Sequence, residues 1–535
     1  MFPGGRDRRF PFAGAASAPA ERPDLIMSAA RLLANIVLMT ALKLVGLLLS
    51  VLLIVLQTAA FGTTPAADAY FTVRRFVLSA IAMTFEATNQ LAVPEFVREV
   101  QGGGHSGMRR ALMRFGIPII GLLCLIALAL WVFAEPVVRL LAPGFDDDRL
   151  AKAAELLGVV ALCLPLTGIA ALAGAFNFAR RRFGLTTLAR LLPRVALLPV
   201  LLVAGAAVTP LSLSWALVIG VALMALMIAV QGWRDLRRMG GGGLTTPRRP
   251  STPRRAAAVT INAAAQMAMG WADAALASLT GLGGVTIMFV AQRLLSAAPG
   301  AVNSAVNSAY YTEYSHAAGA EAGARPSIAA AVRISLFLTL PLVAFVMIAA
   351  TPLITFLLER GAFTAEDTAA TADLVRFLAP LLLVNAVLAA FLPAVLADDG
   401  LPLVRVFLWF SAAALLIRFA AGLPLGALFG LKGVASSILL ASTGSALVLA
   451  RALHRRHGTL GSWQDLRQIA LMIGAAVAAA LVSALLWQPF GLGDLVLLCA
   501  HALTVAALFL AGCALCRLPE IEALFALLRR RRHRG

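Results

Sequence analysis

The sequence predicts an all-α polytopic membrane protein of about fourteen transmembrane helices, built as two six-helix lobes around a central cleft with two further helices at the C-terminal end. Three observations carry this. The 535 residues are 60% hydrophobic and 13% charged, with a mean hydropathy of +0.88, whereas a soluble domain averages about 25% charged residues. Apolar runs of the roughly 20 residues needed to cross a bilayer recur along the chain. The two halves of the chain also repeat each other at an offset of 218 residues.

In order, the apolar runs are 29–60, 67–92, 112–141, 153–179, 187–209, 211–232, 257–280, 284–308, 331–357, 372–396, 404–428, 432–453, 468–488 and 493–516. The first exceeds what a straight crossing needs, so a tilt or break is expected near Lys43 and Gly46. Charge alternates between the connecting loops. Arg98, Arg109 and Arg110 follow run 2, Arg180 to Arg182 follow run 4, Arg451, Arg455 and Arg456 follow run 12, and RRRRHR fills 529–534. Between runs 6 and 7, residues 234–255 hold seven arginines and one acid. The intervening loops are short or acidic, such as GFDDDR at 144–149 and FTAEDTAATAD at 363–373; the loop with Asp398 and Asp399 is the weak member of the basic set. Basic loops stay cytoplasmic, which puts both termini inside. The expected divisions are a disordered cytoplasmic tail (1–27), an N-terminal lobe (28–233), a basic cytoplasmic linker (234–256), a C-terminal lobe (257–456), two added spans (467–516) and a basic cytoplasmic tail (517–535).

At the 218-residue offset Phe71 meets Phe289, Arg75 meets Arg293, Asn89 meets Asn307, Glu95 meets Glu313 and Phe96 meets Tyr314. Further on, LLAPGF (140–145) meets LLERGAF (357–363), and Pro165 and Pro380 follow at similar spacing. Six runs separate the equivalents, so both copies have one orientation. This is a parallel repeat about an axis along the membrane normal. The repeat makes a functional monomer the expectation.

The net charge of +19 would suggest nucleic acid in a soluble protein. Here the arginines cluster in loops and tails, which fits membrane topology and anionic lipid headgroups instead. No nucleic-acid partner is expected. Cys513 and Cys516 have CxxC spacing without a second pair or a histidine cluster, so they read as small apolar residues, not metal ligands. Arg8-Arg9 lies too far from the next apolar run for a cleavable twin-arginine signal. No phosphate-binding GxxxxGK[ST] motif or ligand-spaced histidine set occurs, and neither enzymatic activity nor a cofactor is expected. Transport would draw on an ion gradient or the membrane potential.

Charges inside apolar runs face a bundle interior or a wet cavity, because a charge in hydrocarbon costs several kcal/mol. The candidates are Lys43, Asp68, Arg74, Arg75, Glu86, Asp273, Arg293 and Arg418, with Gln266, Asn89, Asn303 and Asn307 as uncharged polar groups. Most sit in runs 1, 2, 7 and 8, which two-fold symmetry brings together. Arg74 and Arg75 project about 100° apart on a helix. Symmetry with Arg293 assigns Arg75 to the cavity, leaving Arg74 to pair with Asp68 or snorkel. Each residue alone also fits an interhelical salt bridge. Arginine in a desolvated cavity suits phosphate or pyrophosphate, so a substrate with a buried anionic headgroup is expected.

Several stretches then resemble the MurJ/MviN family of lipid II flippases, within the superfamily of multidrug and polysaccharide exporters. They are FGTTPAADAYF (61–71), FEATNQLAVPEF (85–96), LAPGFDDD (141–148), FVAQRLLSAAPGAV (289–302) and ERGAFTAEDT (359–368). The chain departs from the family pattern at LKLVGLLLS (42–50), where Lys43 replaces a set of first-span arginines, at AIAMTF (80–85), which lacks paired arginines, and at Gln292, where the family has Asp. Arg293, Asp68 and Glu86 carry over by position.

The resemblance implies a flippase that moves a polyprenyl-pyrophosphate-linked cell-wall glycan precursor across the bacterial inner membrane by alternating access. Two lobes would rock about a V-shaped cavity in which Arg293 and Arg75 hold the pyrophosphate and Lys43 stands in for the missing arginines. Arg74, Glu86, Asn89 and Asn307 complete the expected substrate site, and Asp68 or Asp273 would carry a coupling ion. Runs 13 and 14 would form a groove for the lipid tail. Two alternatives stay open: export of another lipid-linked polysaccharide intermediate, and a non-transporting membrane scaffold.

Overall fold

The computed structural model describes residues 29–100, 104–180, 182–203, 207–239, 253–296, 310, 314, 327–398, 400–487 and 493–522. The expected N-terminal tail, most of the basic linker, Asn303, Asn307 and most of the C-terminal tail lie outside them. Eighteen helices follow in order. The first half contains α1 (Ala29–Phe61), α2 (Pro65–Arg98), α3 (Gly104–Val132), α4 (Ala134–Leu141), α5 (Asp147–Ala161), α6 (Cys163–Ala179), α7 (Phe183–Ala189), α8 (Leu192–Val195), α9 (Leu197–Val203) and α10 (Pro210–Arg237). The second contains α11 (Pro253–Ser278), α12 (Gly284–Ser296), α13 (Ile328–Leu358), α14 (Ala365–Leu378), α15 (Leu381–Ala397), α16 (Leu403–His457), α17 (Trp463–Trp487) and α18 (Asp494–Leu515).

Local chemistry sets the helix starts. The Thr64 side chain accepts from the Ala67 N–H with Pro65 at the first helical position of α2, where a missing donor costs nothing. Asp146 caps α5, and Thr364 with Asp367 forms a reciprocal capping box on α14. The first helix departs from expectation: α1 runs unbroken through Lys43 and Gly46. Gly46 is instead a packing site, where a Cβ would lie 3.0 Å from the Leu191 side chain.

By length and composition, ten helices among the described residues are able to cross a membrane, or eleven if the bent pair α14–α15 is one span. The sequence count of fourteen differs because α12 is described over 284–296 only, α11 carries Asn262, Gln266 and Asp273, and α16 holds two runs. Gly430 (φ 56°) interrupts α16. On either side of it Gly433 approaches the Leu425 carbonyl, Gly422 approaches Ser437 and Gly444 approaches Ile417. Those pairings are antiparallel, so α16 doubles back on itself.

Two helical lobes result. In the first, α2, α3, α5 and α10 pack around α6; in the second, α11, α13 and α14 pack with α15 and α16. The last two helices, α17 and α18, pack on each other and on α13 through Leu336, Phe337, Met472, Ala476, Val505 and Phe509. Within that pair Ser483 lies 2.9 Å from His501 Nδ1 and 2.6 Å from Thr504 Oγ1. The two-fold repeat is visible directly. A residue on a two-fold axis must meet its own equivalent, and Phe71 stacks on Phe289 with centroids 4.8 Å apart. The same register sets Asp68 opposite Thr286, and these two hydrogen-bond.

The lobes are joined at one end. There the Ala362 N–H donates to the Ala59 carbonyl (2.8 Å), Thr63 Oγ1 donates to Asp367 (2.7 Å), and the Gly144 N–H donates to Ser278 Oγ (3.1 Å). Gly62 and Gly361 both take positive φ, and a Cβ on either would fall 2.3 Å from a carbonyl oxygen of the other strand of this contact. Only glycine allows that approach. At the opposite, basic end each lobe has its own apolar cluster, around Phe96, Met108 and Phe176 in the first and around Phe391, Phe407 and Leu453 in the second. The described bonds between lobes lie at the sealed end or at mid-depth, which opens a V toward the basic end.

The 2.8 Å backbone hydrogen bond puts Ala59 and Ala362 within the Cα separation of about 4.4–6.8 Å that a disulfide spans. With the five native cysteines replaced by alanine, A59C/A362C is expected to form an intramolecular disulfide on mild oxidation, read as lost maleimide labelling. Full labelling after oxidation would contradict the sealed end.

Candidate substrate cavity

The site grows from one face of α2. Residues 68, 71 and 75 recur at helical spacing and point at α12 and α11. Asp68 is fully buried. Its Oδ2 accepts from the Gly283 N–H (2.9 Å), and its Oδ1 accepts from the Thr286 N–H (2.9 Å) and Oγ1 (2.6 Å). Those groups are the N-terminus of α12, so a carboxylate of one lobe caps a helix of the other, where the helix dipole favours an anion. Arg149 Nη1 completes the setting at 3.8 Å. With both oxygens engaged, Asp68 serves as a clamp between lobes.

Arg74 does not pair with Asp68, contrary to one expectation. Six residues on, it leaves α2 on the opposite side. It is buried, its Nη1 donates to Gln57 Oε1, and its guanidinium stands 5.8 Å from the Phe289 ring centroid. Gln57 in turn donates to the Tyr70 hydroxyl at 3.1 Å. Arg75 turns inward as expected, but toward a carboxylate. Its Nη2 lies 3.0 Å from Asp273 Oδ2, passing Gly270, where a Cβ would sit 3.5 Å from Arg75 Nε. Asp273 also accepts from Gln292 Nε2 (3.0 Å) and from Arg418 Nη1, while Arg418 donates to the Met269 carbonyl (3.0 Å). Both oxygens of Asp273 are thus occupied by tethered donors, which leaves a mobile ion no free face there.

A cavity of about 410 Å³ opens beside this group. Arg75, Arg293, Arg418 and Asp273 are the charged residues of its wall, and Gln266, Gln292, Asn385, Ser442 and Ser445 add amides and hydroxyls. Three arginines face one carboxylate, so the wall is cationic. Arg75 and Arg293, the pair singled out by the repeat, line this one cavity. They differ in state: Arg75 is ion-paired, whereas Arg293 is exposed to the cavity and has no hydrogen-bond or carboxylate partner among the described residues. The strongest charges acting on Arg293 are Arg194 and then Arg74.

The remaining expected site residues lie elsewhere. Lys43 is exposed on α1 and does not line the cavity. Glu86 is exposed lower on α2 and interacts with Arg190, which stacks 4.4 Å from the Phe85 ring centroid. Asn89 is half-buried one turn further on, with no hydrogen-bond partner for its buried Oδ1. Asn307 falls outside the described residues. Sequence reasoning overlooked Arg190 and Arg194, although both lie within the apolar run 187–209 at a spacing of four. It also overlooked Gln57 and Arg149, which partner charges from other helices. Among the described residues no three His, Cys, Asp or Glu side chains converge as a metal group. The cavity has the means to hold an anion and to hydrogen-bond hydroxyls.

Comparison with known proteins gives a consistent pattern. A family model described as lipid II flippase MurJ matches residues 57–501. A probable lipid II flippase MurJ of Rhizobium meliloti (strain 1021) is 28% identical over 491 residues, covering 86% of this chain and 88% of that protein. Its counterpart in Rhizobium tropici is 24% identical, covering 81% and 84%. Among solved structures, a lipid II flippase MurJ in an inward closed conformation superposes with a TM-score of 0.73 at 17% identity, covering 90% of this chain and 98% of that one. An inward-facing multidrug resistance MATE family transporter of the MOP superfamily gives 0.56 at 14% identity, over 79% and 94%.

Arg75 and Arg418 carry side-chain exposures of 16% and 7% around the 5% exposed Asp273. Removing the acid strands two cations, so D273A is expected to destabilise the fold by about 3–5 kcal/mol. D273A/R418M should recover part of that loss in detergent unfolding. Parental stability in D273A would mean that the trio holds nothing together.

Proposed function

The chain belongs to the MurJ family of lipid II flippases, and from that membership we propose that it moves a polyprenyl-diphosphate-linked glycan precursor of the cell wall across the bacterial inner membrane by alternating access. The single observation that carries the reading is Arg293, an arginine without a counter-charge on the wall of a cavity between two lobes. An uncompensated guanidinium at mid-membrane is costly unless an anion visits it. A diphosphate offers oxygens in the geometry of its planar fork.

The sealed end, which carries Asp147, Asp148 and Glu366, is the outer one, and the end near Arg109, Arg110, Arg455 and Arg456 is cytoplasmic. This conformation therefore opens inward. The diphosphate enters from the cytoplasmic leaflet and reaches Arg293, while glycan hydroxyls meet Gln266, Asn385 and Ser445. Outward opening requires the clamp of Asp68 on α12 and the contacts at Ala59, Thr63 and Gly144 to release. Both lobes then turn about the Phe71–Phe289 stack, which lies on the axis. Arg75 contributes as half of an interlobe ion pair with Asp273 instead of as a direct ligand.

In a strain depleted of its own lipid II flippase, the parent chain is expected to restore growth and R293A to fail at equal membrane abundance, with R293K intermediate. Growth with R293A would remove the reading. Failure of the parent, together with restored export of another lipid-linked polysaccharide, would redirect it to that cargo. Oxidised A59C/A362C should also stop translocation, and a reductant should restore it. Continued translocation by the oxidised protein would exclude opening at that end.

A further inference from the structure

Most charges within this fold have a partner. Arg75 and Arg418 share Asp273, Arg149 approaches Asp68, and Arg333 binds Asp465 and Glu520. Three arginines do not follow that rule. Arg74 is 8% exposed, bonds only the neutral Gln57, and leaves its Nε without an acceptor. Arg194 is half-buried on α8 against α1, its Nη1 3.6 Å from where a Cβ on Gly46 would stand. It has no hydrogen-bond or carboxylate partner among the described residues, and neither has Arg293.

These three act on one another. Arg194 is the strongest charge felt by Arg293, with Arg74 next, and Arg74 is the charge felt by Arg194. They come from α2 and α8 of the first lobe and α12 of the second. Like charges gathered at low dielectric repel, and buried charges are ordinarily paired. A fold that spends acids on its other interior arginines and none on these leaves room for an anion from outside. One phosphate satisfies one guanidinium fork. Two arginines facing each other across the cleft call for two linked phosphates.

We infer that Arg194 and Arg293 are the two halves of one diphosphate seat, one arginine from each lobe, with Arg74 behind them as a fixed positive charge. The inference rests on the flippase reading and names the first-lobe residue of that site. It reassigns the role expected of Lys43 and Arg75: the former does not line the cavity, and the latter is neutralised by Asp273. The seat also couples ligand to conformation. An empty seat sets two guanidinia against each other across the cleft and favours an open V. A bound diphosphate draws both toward itself and favours closure of the cytoplasmic end.

The test uses the full chain in nanodiscs of zwitterionic lipid, with a polyprenyl diphosphate and the matching monophosphate as ligands. The parent is expected to prefer the diphosphate. R194A should bind the diphosphate about tenfold more weakly or worse and lose the preference, as expected for a lost hydrogen bond to a charged group. R194K should keep part of it, and thermal stability should not fall. Weaker binding of inorganic diphosphate by R194A would also support the seat. If R194A keeps the full preference while R293A loses binding, Arg194 is no ligand and the flippase reading stands. If R293A binds as the parent does, both fall. If phosphatidylglycerol displaces the polyprenyl diphosphate at equal mole fraction, the seat is a lipid-headgroup site and the inference is overturned.

Discussion

The carboxylate of Asp68, seated on the N-terminus of α12, is the interaction on which the rest of the architecture depends. It joins the two lobes at the point where their axis emerges, with three hydrogen bonds and a nearby arginine, in a setting from which water is excluded. In that setting a buried carboxylate is favourable only while its donors stay in place, because losing them strands a charge. The clamp therefore has two well-defined conditions, engaged or solvated, and few between. A two-state element of this kind is what alternating access needs. It also explains why the lobes diverge only away from this end.

At mid-depth the accounting of charge separates structure from function. Asp273 collects Arg75, Arg418 and Gln292, tying α2, α11, α12 and α16 together. Such a group rigidifies the second lobe and fixes the cavity wall, but it has nothing left to offer a ligand. Arg293 lies one turn from Gln292 on the same helix and has the opposite character. Position in the cavity does not decide which arginine meets substrate; the presence or absence of an acid does. The expected ion-coupling role of Asp273 fails on the same ground, since Arg418 already fills the place of a cation.

Much of this was legible in the sequence, and for identifiable reasons. Apolar runs report helices because the bilayer demands about 20 such residues in a row. The 218-residue offset reported the symmetry because the equivalent positions 71 and 289 must share one environment. It also led to Arg75 and Arg293 as a cavity pair. What stayed hidden was pairing between distant segments. Nothing local connects Asp273 to Arg418, 145 residues away, or Asp68 to Arg149. Arg190 and Arg194 were visible as charges in an apolar run, but the repeat supplied no equivalents to draw attention to them. The unbroken course of α1 escaped notice because Gly46 reads locally as a weak point and is used as a contact surface.

The duplication itself poses a physical problem that the divergence of the halves resolves. On a perfect two-fold axis each residue meets a copy of itself, which is harmless for Phe71 and Phe289 but repulsive for any charge. At position 68 the second copy carries Thr286, so that an acceptor meets donors instead of another acid. At position 273 the first copy carries Val55, which packs in the apolar cluster of the second lobe. One arginine of the repeated pair consequently finds an aspartate across the axis and the other finds none. Arg75 becomes part of the frame and Arg293 stays free. The asymmetry that makes a cationic pocket out of a symmetric fold lies in an acid present in one half and missing from the other, not in the arginines themselves.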